Sequence, residues 1–148
     1  MPEKEIIEKA RKDKREGKSP STQAGEFVRE EFHHVREGKH GARSPEQVIA
    51  IGLSKARKAG VRLKPPKKGS AKTGKSAQSA YRAGSKNGRK TSKVRSRATR
   101  RALKKEGHRS ASRSAISKQA KRAARKRSAA ARSRSAKKAA RTRAARAS

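Results

Sequence analysis

The 148-residue chain is expected to form a small all-α head of two to three short helices, residues 1–63, followed by a long, intrinsically disordered basic tail, residues 64–148. Three observations lead there. Charge is unevenly spread: residues 1–63 hold 15 Lys+Arg and 10 Asp+Glu, whereas residues 64–148 hold 31 Lys+Arg and one acid, Glu106. Large apolar side chains run the other way, with 13 in the first part and four in the second, Tyr81, Val94, Leu103 and Ile116. Pro65-Pro66 lies between the two parts, where it stiffens the chain and blocks a helix. With 29% apolar and 2% aromatic residues, one core over the whole length is excluded, because ordering each residue costs roughly 1–2 kcal/mol.

The head reads as helical in three places. Residues 2–16 begin with Pro2 at a helix start, place acids early and bases late, and stop at Gly17; Ile6, Ile7 and Ala10 make a narrow apolar stripe. In the second helix, Ala24, Phe27, Val28, Glu31, Phe32 and Val35 recur at i, i+3, i+4, i+7, i+8 and i+11. Ser19, Ser21 or Thr22 caps it and Gly38 follows its end. The third helix opens with Ser44-Pro45-Glu46-Gln47, a cap serine, a proline at the first helical position and a glutamine two residues further on. Val48, Ile49, Leu53 and Ala56 form its face and Gly60 closes it. No segment alternates with period two, so no sheet is expected. A head of this size is marginal alone, and homo-oligomerisation through it is one expected remedy. The link from Val35 to Ser44 is too long for a helix-turn-helix.

Gly38-Lys39-His40-Gly41-Ala42-Arg43-Ser44, followed by Gln47, Ile49, Ala50, Ile51, Gly52, Leu53 and Ser54, resembles the central block of an uncharacterised family of short, basic bacterial proteins described as hypothetical or as DNA-binding and histone-like. The resemblance covers about residues 19–64, and departs from the pattern at Pro45-Glu46, where two bases are expected. The tail is similar in composition to the Lys/Ala-rich arms of bacterial linker-histone-like proteins. The resemblance implies DNA binding and supplies no catalytic activity.

The tail also points to a polyanion on its own chemistry. It contains 31 Lys+Arg, 20 Ala and 14 Ser, and from His108 to Ser148 it has neither Gly nor Pro. Ala, Arg and Lys favour helix, but like charges at i,i+4 repel. The expectation is coil in free solution and helix on a polyanion. Duplex DNA presents one charge per roughly 1.7 Å, so about 30 neutralised phosphates span about 15 base pairs. The residues expected to carry the contact are Lys67, Lys68, Arg89, Lys90, Arg95, Arg97, Arg100, Arg101, Lys104, Lys105, Lys121, Arg122, Arg125, Lys126, Arg127, Arg132, Arg134, Lys137, Lys138, Arg141, Arg143 and Arg146. Base-stacking platforms need aromatics, and the tail has only Tyr81.

Two patterns suggest other chemistry. Gly69-Ser70-Ala71-Lys72-Thr73-Gly74-Lys75-Ser76 satisfies the spacing of a nucleotide-phosphate loop, but no strand precedes it and no downstream Asp is available to hold magnesium. His33, His34 and His40 lie beside Glu30 and Glu37. Adjacent histidines on a helix point apart, and a one-face ligand pair wants i,i+4 spacing, so no metal site is expected; His40 is instead a candidate phosphate contact. No nucleophile, base and orienting group occur as a set.

The expected function is therefore non-enzymatic and needs no cofactor: largely sequence-independent binding and compaction of double-stranded DNA, in the manner of a histone-like, nucleoid-associated protein. The alternatives are an RNA- or ribosome-associated basic protein, or a protein-interaction head tethered to DNA by the tail. No run of about 18 apolar residues exists to span a membrane. The absence of Cys leaves the redox compartment open, while Glu3, Glu5 and Glu8 stand where a signal peptide would be basic and apolar, so a cytoplasmic, nucleoid-associated location is expected.

Overall fold

The computed structural model describes residues 4–85 and 92–147. They form seven α helices and one 3-10 turn: α1 Lys4–Arg15, α2 Pro20–Arg36, α3 Pro45–Lys58, α4 Ala71–Ser85, α5 Lys93–Lys104, the turn Arg109–Ala111, α6 Arg113–Arg125 and α7 Ala129–Ala147. The chain divides into two compact units, Met1–Ser112 and Arg113–Ser148.

Helices α2 and α3 start, and α1, α2 and α3 stop, where their end signals lie; Pro2, the start expected for α1, is outside the described residues. Ser19 caps α2, its Oγ accepting from the Thr22 amide at 3.4 Å, with Pro20 in the first turn. Ser44 caps α3, its Oγ accepting from the Gln47 amide at 3.3 Å, while Gln47 Oε1 reaches back to accept from the Arg43 amide at 2.8 Å. Gly17, Gly38 and Gly60, just past the three helix ends, all have positive φ, the left-handed stop that a side chain disfavours.

Two apolar clusters hold the first unit. Ala10, Ala24, Phe27, Ala56 and Val61 form one, with Ile6, Ile7, Leu53, Ala59 and Leu63 against it. The turn between α1 and α2 is pinned beside it by Lys18, which donates to the buried Asp13 at 2.7 Å and pairs with Glu16 at 2.8 Å. These two carboxylates, Asp13 first, push the Lys18 ammonium up from its ordinary value. The second cluster joins Val35, Ala42, Val48 and Ala111, flanked by Phe32.

Ala111 belongs to the segment expected to be a disordered tail, and it is 0% exposed. The disordered-tail expectation is overturned, and the fold is all-α beyond residue 63 as well as before it. Residues 71–85, 93–104, 113–125 and 129–147 are helical. Two physical reasons account for this. First, α4 packs on α3 through small side chains: Ala77 and Ala80 are buried, and Gly84 lies so close that a Cβ there would sit 1.9 Å from the Arg57 carbonyl oxygen. Arg57 is itself buried and holds the intervening turn, its Nε donating to the Leu63 carbonyl at 3.0 Å; burial lowers its pKa from the ordinary value. Second, each like-charge pair on a helix costs only about 0.2–0.5 kcal/mol, and a Gly- and Pro-free run of Ala, Arg and Lys outweighs that. Helix α7 also has a start signal, the Ser128 hydroxyl accepting from the Ala131 amide at 3.2 Å.

Helices α2 and α3 cross at Gly52, where a Cβ would fall 2.7 Å from Val28 Cα. Gly52→Ala is expected to force the helices apart and cost about 2–3 kcal/mol. Gly25→Ala, in the middle of exposed α2 surface with open space around it, is expected to stabilise by about 0.5–1 kcal/mol through helix propensity. Urea denaturation of both variants checks the crossing; equal effects of the same sign would refute it.

Candidate nucleic-acid interface and a buried carboxylate centre

Most of the described cations expected to meet phosphate lie on helices rather than on an extended arm. Lys67 and Lys68 sit in the turn before α4, Arg95, Arg97, Arg100, Arg101 and Lys104 on α5, and Lys105 at its C-cap. Lys121, Arg122 and Arg125 belong to α6, Lys126 and Arg127 to the turn after it, and Arg132, Arg134, Lys137, Lys138, Arg141 and Arg143 to α7. All of these are exposed. Arg146 falls in α7, and Arg89 and Lys90 lie outside the described residues.

Helical geometry organises these charges in a way the sequence list did not. On α5, Lys93, Arg97, Arg100 and Lys104 recur at i, i+4, i+7 and i+11, one face of the helix, with Arg101 beside them. On α6, Lys118, Lys121, Arg122 and Arg125 share a face at i, i+3, i+4 and i+7, while half-buried Ile116 and Gln119 lie on another. On α7 the cations fall on two sides, Arg132 and Arg143 on one and Arg134, Lys137, Lys138 and Arg141 on the other. Lys93 and Lys118 were missed by composition and are found by spacing.

The loop from residue 37 to 44 is closed by the segment from residue 103 to 111. The Gly41 amide donates to the Leu103 carbonyl at 2.9 Å, and the Ala42 amide to the Gly107 carbonyl at 3.0 Å. Arg36 Nε donates to the Ala111 carbonyl at 3.0 Å. Arg43 pairs with Glu106, the lone acid after residue 63, at 3.1 Å. A Cβ on Gly41 would lie 1.8 Å from the Glu106 carbonyl oxygen, so only glycine fits this approach.

Under this closed loop sits a carboxylate, Glu31, at 0% exposure. Lys55 of α3 donates to its Oε1, and His34 Nδ1 lies 3.2 Å from the same oxygen. His40 Nε2 lies 3.4 Å from Oε2. His40 Nδ1 meets the Gly41 carbonyl at 3.0 Å; a carbonyl only accepts, so this nitrogen carries hydrogen. The two imidazoles stand edge to face with ring centres 6.2 Å apart. His40 thus turns inward, and is not placed to contact phosphate. Glu31, His34 and His40 have donor atoms within 4.8 Å of one another, a grouping that can hold a metal ion. Lys55 and Glu31, 24 residues apart, carried no local sequence signal.

The stretch Gly69–Ser76 is not a nucleotide loop. Helix α4 begins inside it at Ala71, the Ser70 hydroxyl accepts from the Thr73 amide at 3.2 Å, and the Gly74 amide donates to the Ser70 carbonyl at 3.0 Å. Amides that would cradle phosphate are spent on the helix start.

No family model matches the chain, and neither a curated protein nor a solved structure matches it. Among the described residues, no helix is long and apolar enough to cross a membrane.

Glu31→Gln removes the buried negative charge and strands the Lys55 ammonium. It is expected to cost about 3 kcal/mol, the lower end for breaking a buried pair, because Lys55 can reach water. In a double-mutant cycle with Lys55→Met, the double variant should lose clearly less than the two single losses added together. Simple additivity in urea denaturation would show that the two side chains do not interact.

Proposed function

We propose that the protein binds double-stranded nucleic acid, DNA in the first place, without catalysis and largely without regard to sequence, and that it compacts DNA as a histone-like component of the nucleoid. The observation that carries this reading is the unit Arg113–Ser148. It holds 14 Lys+Arg and no acid, and every one of its described cations is exposed. The row on α5 adds a further basic face on the first unit. Such surfaces attract a polyanion through counterion release, which is indifferent to base identity. Ordered helices also fix the spacing of the charges, so less entropy is lost on binding than by a coil of the same composition.

Duplex DNA is favoured over RNA recognition because the exposed basic helices carry no aromatic side chain on which unpaired bases could stack. Electrostatic binding to a duplex needs none.

Fluorescence anisotropy of the full chain on labelled duplex DNA across a salt series tests the proposal. If about 10 phosphates are neutralised per bound protein, log K should fall with a slope near −9 against log salt. Replacing Lys118, Lys121, Arg122 and Arg125 together by Gln should make the slope shallower by about 3–4. Two duplexes of equal length and different sequence should compete equally. A slope near −2, a strong preference for one duplex, or structured RNA outcompeting duplex DNA would overturn the assignment.

A further inference from the structure

We propose that Glu31, His34 and His40 form a binding site for a divalent transition-metal ion of the zinc class. A buried carboxylate and two imidazoles are the donor set such ions prefer when no thiolate is present. The decisive feature is the face between Glu31 Oε2 and His40 Nε2. Because His40 Nδ1 donates its hydrogen to the Gly41 carbonyl, a neutral His40 carries a lone pair on Nε2. That lone pair faces a carboxylate oxygen that is buried and has no hydrogen bond. Two electron-pair donors opposed in this way are suited to holding a cation between them.

An imidazolium bonded to a carboxylate draws in to about 2.7–2.9 Å, whereas Nε2 and Oε2 stand 3.4 Å apart. Two ligands about 2.0–2.1 Å from one tetrahedral ion lie about 3.4 Å from each other. His34 Nδ1 hydrogen-bonds to the other carboxylate oxygen, Oε1, at 3.2 Å, so an ion bound there would take the place of that hydrogen. The surrounding shell is also that of a ligand histidine, which habitually passes its second N–H to a backbone carbonyl. Here that carbonyl is fixed, since Gly41 is held by Leu103 and has no room for a side chain.

Lys55 supplies the counter-charge to Glu31 in this arrangement. A dication would displace its ammonium, which is already partly exposed and can turn to water. The sign of a Lys55 substitution therefore separates a metal site from a structural ion-pair cluster. Removing a neighbouring positive charge should tighten binding of a dication by about tenfold or more.

The test is titration of the full chain, stripped of metal with a chelator, by Zn²⁺ in calorimetry and by Co²⁺ in visible absorption. One equivalent should bind, with the intense d–d bands of a four-coordinate ion, and Zn²⁺ should raise the melting temperature. His34→Gln and His40→Gln should each weaken binding by about 100-fold or more, the upper end of what even outer-shell changes cost. His33→Gln and His108→Gln should leave it unchanged, and Lys55→Met should tighten it. If a histidine variant fails to fold in chelator, the wild-type melt and the Lys55→Met affinity still decide. No Co²⁺ band and no melting shift in the wild type would overturn the proposal. So would binding that follows His33 or His108, or that Lys55→Met leaves unchanged or weakens.

Discussion

The docking of the 103–111 segment onto the loop between α2 and α3 is the interaction on which the second apolar cluster and the Glu31 centre depend. It supplies carbonyl acceptors to Gly41 and Ala42, takes the Arg36 guanidinium on the Ala111 carbonyl, and places Ala111 in the cluster of Val35, Ala42 and Val48. Each contact satisfies a polar group or fills a space that would otherwise be open beside the core. The same docking fixes Gly41, whose carbonyl orients His40, and His40 in turn faces Glu31. A basic segment with almost no large apolar residues is thereby built into the fold at its one useful place.

Charge placement follows from scarcity. The chain has 11 acids for 46 cations. Asp13, Glu30 and Glu31 are buried, and Glu106 is half-buried against Arg43. With so few acids the net field of the chain stays strongly positive. From Arg113 onward no acid is present at all. A few buried acids, Asp13 and Glu31 among them, anchor lysines inside the first unit, while the described cations from Arg113 onward are exposed.

The starts of α2 and α3 and the ends of α1, α2 and α3 were legible because Ser19-Pro20, Ser44-Pro45 and the three closing glycines act locally. Helix α4 and the 103–111 segment were not. Their contacts are made by Ala77, Ala80, Gly84 and Ala111, residues that a search for large apolar side chains passes over and that matter only once a neighbour is close. The helices α5 to α7 were misjudged by weighing repulsion above propensity, although solvent and salt weaken repulsion between exposed charges. The candidate phosphate-binding residues were readable as a list, yet their sorting into faces needed the helices. His34 and His40 were noticed beside Glu30 and Glu37, but Glu31 was not seen as their partner, because the group closes only when residues three, nine and 24 positions away on three different elements come together.

The central claim is that residues well beyond the paired prolines belong to a folded unit before any nucleic acid is bound. Amide hydrogen exchange on the free full-length chain tests it most directly. The amides of Gly41 and Ala42, whose acceptors are Leu103 and Gly107, should exchange slowly, as should those of α4 from Lys75 to Gly84. Random-coil exchange throughout residues 64–112, with Gly41 and Ala42 unprotected beside a slow α2 and α3, would contradict it and restore a small head with a disordered arm.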